Sequence, residues 1–221
     1  MKKDYKRVIA ILVLILVSSF GFSQTNEINI KFIGNAGLYL TDGKTNLYVD
    51  FPYKSGAHKY MEYERSELDS IKDNSIFLFT HRHSDHYSKK LLKKLNGKKF
   101  GNWNPEELKN LNDSIPDFSI DAIRTSHTFT FKHYSYLISW HGKKIYINGD
   151  TGDVEPLSKI QDIDWAFVPY WILSNAKEEN IKIDAKSFGV YHLYPQQVVT
   201  GEIPDHILFL KEQNKIITIP Y

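Results

Sequence analysis

Apolar and polar residues alternate with period two through Glu27-Ile28-Asn29-Ile30-Lys31-Phe32-Ile33, which predicts a strand buried on one face. Gly34-Asn35-Ala36-Gly37 predicts a turn, and Leu38-Tyr39-Leu40 resumes the extended pattern. Thr41-Asp42-Gly43-Lys44 then predicts a hairpin into a third strand over 46–50. A meander at this end of the chain predicts mixed sheets rather than a doubly wound parallel one. Ile76-Phe77-Leu78-Phe79 is an unbroken apolar run, the mark of a strand covered on both faces. Further strands are expected over 118–123, 128–131, 134–140, 144–148, 164–168, 188–191 and 216–219. Leu91, Leu92 and Leu95 have helical spacing before Gly97, and Asn104-Pro105-Glu106-Glu107 reads as a helix start. A last helix is expected over 205–213. Residues 53–70, with Tyr53, His58, Tyr60 and Tyr63, read equally as a substrate-facing lid or a packed aromatic loop, and 171–187 is too polar to place. Strands followed by a helix in each half predict two sheets packed face to face with helices outside.

The N-terminus stands apart from this pattern. Lys2, Lys3, Lys6 and Arg7 precede an apolar run over 8–17, and Gly21-Phe22-Ser23 supplies small residues for cleavage. This predicts a secretory signal peptide over 1–23, too short for a comfortable membrane span, and a periplasmic or secreted mature chain without a stable membrane anchor. The remaining 198 of 221 residues, 24–221, suit one domain. The removed segment carries four basic residues and Asp4, so the formal charge falls from +2 to −1. No electrostatic footprint for nucleic acid survives that subtraction, and a small-molecule substrate is the expected partner. The chain has no cysteine, which excludes disulfides, a lipid-anchored N-terminus, thiolate metal ligands and a cysteine nucleophile.

Directly after the 76–79 run comes Thr80-His81-Arg82-His83-Ser84-Asp85-His86. Three imidazoles and a carboxylate in six residues form a ligand set for a borderline divalent ion such as zinc. A complete site needs further ligands, and the polar residues at other strand ends are the candidates: Ser126-His127, Gly149-Asp150-Thr151-Gly152 and Tyr191-His192. His133 and His141, on or beside a hairpin, are expected to be exposed rather than ligating. Tyr170 and Trp171 are candidates for a substrate wall. Lys89, Lys90, Lys93 and Lys94 are expected on a solvated helix face.

The order of HxHxDH, a downstream SH, an NGDTG and a late strand-end histidine resembles the metallo-β-lactamase fold superfamily. Within it, the similarity is to the metal-dependent hydrolases of the L-ascorbate-6-phosphate lactonase type. The resemblance runs from about Ile28 to Pro195 and implies an α/β four-layer αββα sandwich of two mixed β-sheets flanked by helices. It implies His81, His83 and His127 on a first metal, and Asp85, His86 and His192 on a second, with Asp150 bridging. It further implies a metal-bound hydroxide as nucleophile at a two-zinc centre (Mn²⁺ or Fe²⁺ as substitutes), with Asp85 and Asp150 in catalytic roles. The expected reaction is cleavage of an ester, lactone or phosphodiester; the rivals are a β-lactamase-like amide hydrolase and a non-catalytic metal-binding protein. Asn35 stands where many members of that branch have a histidine. The cysteine that class B1 β-lactamases use as a ligand is absent.

Overall fold

The computed structural model describes residues 26–56, 61–194 and 196–221. The expected signal peptide, His58, Tyr60 and Pro195 lie outside the described residues. Among the described residues, twelve strands form two six-stranded sheets. The first holds β1 (Glu27–Gly34), β2 (Gly37–Thr41), β3 (Asn46–Val49), β4 (Ile76–Leu78), β5 (Lys98–Phe100) and β12 (Ile216–Pro220), in the order β12-β1-β2-β3-β4-β5. The second holds β6 (Phe118–Thr125), β7 (His133–Trp140), β8 (Lys143–Ile147), β9 (Ile163–Pro169), β10 (Ala185–Tyr191) and β11 (Ile207–Phe209), in the order β11-β10-β9-β8-β7-β6. Both are mixed. β3, β4 and β5 run parallel beyond the antiparallel β12-β1-β2-β3 meander. Likewise β8 to β11 run parallel beyond the β6-β7-β8 meander.

Period-two burial explains the layers. Along β3 and β4, Leu47, Val49, Ile76 and Leu78 enter the core between the sheets, while Tyr48, Phe77 and the following Phe79 join an outer aromatic cluster. That cluster covers the first sheet with help from Leu68 of α1 (Ser66–Asp69) and Leu92 of α2 (Lys89–Leu92). The outer face of the second sheet, Tyr146, Ala166, Val168, Phe188 and Val190, is covered by Leu157 of α4 (Glu155–Ser158) and by Ile172 and Ala176 of α5 (Tyr170–Glu178). α3 (Leu108–Asn112) closes the central core with Leu108 and Leu111.

Two local expectations change, and one unplaced stretch is resolved. The segment over 205–213 is not a helix: Leu208 and Leu210 face the central core and Ile207 and Phe209 the outer layer, so its true period is two and it adds β11 to the edge of β10. The expected strand over 128–131 is a turn, with the Thr130 N–H on the His127 carbonyl and Phe129 at φ 61°. The polar stretch 171–187 divides into the rest of α5 and the start of β10. Tyr53 and Tyr63 pack edge-on at 4.8 Å between ring centres, so these two belong to a packed aromatic loop. Lys89, Lys90, Lys93 and Lys94 are exposed.

Candidate metal centre

All seven candidate ligands follow strand ends at one edge of the sandwich. His81, His83, Asp85 and His86 follow β4; His127 follows β6; Asp150 follows β8; His192 follows β10. β4 runs parallel to its neighbours, and β6, β8 and β10 run in one common direction, so these ends meet. Two cross-sheet hydrogen bonds hold the edges together there: Tyr136 donates to the Phe79 carbonyl at 2.8 Å, and the Tyr134 N–H donates to the Thr80 carbonyl at 3.1 Å.

The structure sorts the seven side chains into two groups. His81, His83 and His127 form one, and Asp85, His86, Asp150 and His192 the other; within each, one donor atom per residue lies within 4.8 Å of all the rest. The groups adjoin where the His81 and His86 rings approach to 4.2 Å between centres. Asp150 Oδ2 sits 3.0 Å from His86 Nε2 and 3.2 Å from His192 Nε2. Donors about 2.1 Å from a shared ion lie roughly 3.0–3.4 Å apart, so these separations suit common ligands. His192 adopts φ 61°, a left-handed conformation uncommon for a residue with a Cβ.

Protonation follows from a buried carboxylate outside the expected set. Asp50, fully buried just after β3, accepts from the Thr80 N–H, the Thr80 hydroxyl and His86 Nδ1, each at 2.8 Å. The Thr80 hydroxyl has a single hydrogen, already given to Asp50, so at 3.0 Å it accepts from His81 Nδ1. One carboxylate thereby fixes the Nδ1–H tautomer of both His81 and His86 and leaves both Nε2 lone pairs for other work. His81 Nε2, His86 Nε2 and Asp150 Oδ1 are buried with no hydrogen-bond partner. The short His86–Asp150 contact therefore has the distance of a hydrogen bond without its angle. Buried orphaned donors of this kind fit a cation in their midst, and their nitrogen and carboxylate chemistry suits zinc.

The charge balance agrees. Burial pushes His81 far down, and neighbouring His86 adds to the shift; burial likewise lowers His127, so both offer neutral rings. Burial opposes ionisation of Asp150, yet His86 and His192 hold its carboxyl well below the ordinary range. Burial also opposes charge on His86, but Asp150 and Asp50 hold its pKa well above that of free imidazole. A positive charge is thus favoured where the two carboxylates meet, whether carried by a proton or by a metal ion.

His133 is buried, not exposed as expected, and is not among the grouped ligands. Its Nε2 accepts from the Asp150 N–H at 2.9 Å and its Nδ1 lies 2.6 Å from the Thr125 hydroxyl, its antiparallel neighbour. Burial lowers its pKa to about 3, so it stays neutral and acts as an acceptor that aims Asp150. His141 pairs with Asp42 at 2.9 Å and stacks on Tyr221, away from the grouped ligands. Asn35 is buried at φ 54° and donates to the Asp85 carbonyl at 2.8 Å, steadying the turn that carries the second group. Asp50 had one signal in the sequence, a carboxylate ending a strand; its role required the fold.

Gly149 shows how tightly the shell is built. It has φ 64°, and a Cβ there would lie 2.5 Å from His133 Nε2. Gly149→Ala is expected to cost about 1–3 kcal/mol from backbone strain, before the clash with His133 is added. Thermal unfolding beside metal analysis checks it: a lower Tm and reduced metal content are expected.

No family model and no curated protein sequence matches the chain. Solved structures do. A metallo hydrolase from Ignicoccus hospitalis superposes with TM-score 0.61 at 14% identity, covering 88% of this chain and 99% of that one. The metallo-β-lactamase fold protein YhfI from Bacillus subtilis gives 0.56 at 12% identity, covering 87% and 99%. An isothiocyanate hydrolase from Delia radicum gut bacteria gives 0.56 at 13% identity, covering 87% and 100%. The chain therefore has the metallo-β-lactamase fold, an α/β sandwich of two mixed sheets, with a His/Asp centre at one edge that could bind metal.

Proposed function

We propose that the chain is a metal-dependent hydrolase that holds two divalent ions, zinc best fitting its donors, and cleaves an ester, lactone or phosphodiester. The observation that carries this reading is the pair of donor groups meeting at His81 and His86, with both Nε2 lone pairs presented by one shared carboxylate, Asp50. His81, His83 and His127 would hold one ion; Asp85, His86 and His192 would hold the other; and Asp150 would serve both. When bound, the ions would activate a water and polarise the oxygen under attack. Asp85, partly exposed and with Oδ2 3.6 Å from His192 Nε2, would orient that water and accept its proton. His133 and Asp50 hold Asp150 and His86 in position. A cleft of about 660 Å³ lined by Ser126, His127, Asp150, Asp153 and Trp171 leaves room for substrate.

Purified protein is expected to carry close to two equivalents of metal and to lose most of it on His81→Ala plus His83→Ala. Rates on bis-p-nitrophenyl phosphate, p-nitrophenyl esters, simple lactones and nitrocefin then sort the reaction. Nitrocefin turnover alone would favour an amide hydrolase, and tight metal binding with an untouched panel would favour a binding protein. Full hydrolysis by metal-free protein would overturn the reading. We also infer export, on the basic and apolar pattern of the first 23 residues, with cleavage after Ser23. N-terminal sequencing of the periplasmic or secreted protein should begin at Gln24. Among the described residues no helix is long and apolar enough to cross a membrane.

A further inference from the structure

Beside the metal centre lies a second cavity, of about 530 Å³, lined by Arg82, His83, Trp103, Phe129, Phe131 and Lys132 among others. Phe129 and Phe131 are 97% and 101% exposed. One exposed ring is ordinary on a protein surface; two lining a cavity that includes a candidate metal ligand are not. The Trp103 part of the lining is held by its packing. Trp103 packs against Phe79 and Tyr87, with ring centres 5.9 and 5.5 Å away, and a Cβ on Gly101 would come within 2.4 Å of its ring. The loop wall is tied down by Asn102, whose side-chain amide donates to the Lys132 carbonyl at 2.8 Å. The Arg82 guanidinium lies 4.7 Å over the Trp103 ring, and among the described residues no carboxylate pairs with it. Lys132 adds a second positive charge, and no acidic side chain lines the cavity.

We infer that this cavity is the specificity pocket of the hydrolase proposed above, and that it takes a substrate with a flat apolar body bearing an anionic group away from the scissile bond. The inference rests on that reading for the word substrate; the pocket itself rests on the residues named here. Trp103, Phe129 and Phe131, lining one cavity, would contact the apolar body. Arg82, its planar guanidinium positioned over the Trp103 ring, presents a fork of N–H donors suited to a carboxylate or phosphate, and Lys132 supplies a second charge in the same cavity. His83 lines the same cavity, so a bound body extends directly to the candidate metal groups.

Benzylphosphonate, which cannot be hydrolysed at its C–P bond by this chemistry, tests the pocket by isothermal titration against the purified full chain. Benzyl alcohol and methylphosphonate supply each half of the probe alone. The intact probe is expected to bind at least about 10-fold more tightly than either half, and Arg82→Ala to weaken it about 10-fold or more. Arg82→Lys should recover part of the loss. Phe129→Ala plus Phe131→Ala should weaken the intact probe while leaving methylphosphonate unchanged. All three sites are at the surface, and an unchanged Tm confirms folding. Affinity insensitive to Arg82→Ala but lost in His81→Ala plus His83→Ala would put the anion on the metal ions and overturn the pocket. Phenylalanine variants that lose only association with phosphatidylglycerol vesicles would assign the rings to a lipid surface and overturn it too. Probe binding at Arg82 by a chain that hydrolyses nothing would uphold the pocket and remove the hydrolase.

Discussion

Asp150→Ala is expected to lower kcat/KM by about 10³-fold or more on the substrate of the proposed hydrolase. Asp150 is the carboxylate within 3.2 Å of both His86 and His192, and it lies in the turn whose backbone His133 holds. Its loss removes the anion that balances the second donor group. A metal ion typically supplies several kcal/mol of transition-state stabilisation, and about 4 kcal/mol corresponds to that factor in rate. Metal content should fall from the proposed two equivalents to one or fewer. The Gly149 and Asp150 backbone is untouched, so far-UV circular dichroism should stay native. Two equivalents of metal and an unimpaired rate in the variant would remove Asp150 from the site.

The second large effect is predicted at Asp50, which contacts no substrate. Asp50→Ala leaves the Thr80 N–H, the Thr80 hydroxyl and His86 Nδ1 buried without their acceptor. Removing one partner from such a buried charged network costs about 3–5 kcal/mol, which urea unfolding at pH 7 would measure. Asp50→Asn separates folding from metal binding. The amide keeps one acceptor oxygen but puts an NH₂ where the carboxylate took two further protons, so either Thr80 or His86 must reorient. Losing such an outer-shell partner typically weakens a metal site by about 10–100-fold, and a competition titration against a chelator reads it. Because the Thr80 hydroxyl relays Asp50 to His81, both equivalents of metal should weaken. Weakening confined to one equivalent would break the proposed relay and leave Asp50 serving His86 alone.

The site and the fold were legible in the chain to different depths. HxHxDH after an apolar run is local: four candidate ligands lie within six residues, and nothing but the end of β4 is needed to present them. His127, Asp150 and His192 could be picked only as polar residues at strand ends, since 44, 67 and 109 positions separate them from His83. Strands with clean alternation, such as β1 and β12, were read almost to their observed ends. Short apolar stretches were not, because Ile207 to Leu210 is too brief for its period to be told from a helix without its neighbour β10. The turn over 128–131 failed for a related reason: Thr-Phe-Thr-Phe alternates like a strand, but it lies in the connection between β6 and β7, which pair with each other from Thr125 and His133 onward.

By itself, then, the sequence determined the two-sheet sandwich, the cluster on which the centre is built and the absence of thiolate chemistry. These depend on residue type and on periods of a few residues. The family resemblance implied two groups of ligands; only the tertiary structure decided that Asp50 sets the tautomers of two histidines through Thr80, and that His133 is a buried acceptor. It alone brought Arg82, Trp103, Phe129 and Phe131 to one cavity. Each of those facts is a contact between residues far apart in the chain. Hydrogen-bond direction and burial are properties of where strand ends meet, and no local pattern of polar and apolar residues carries that information.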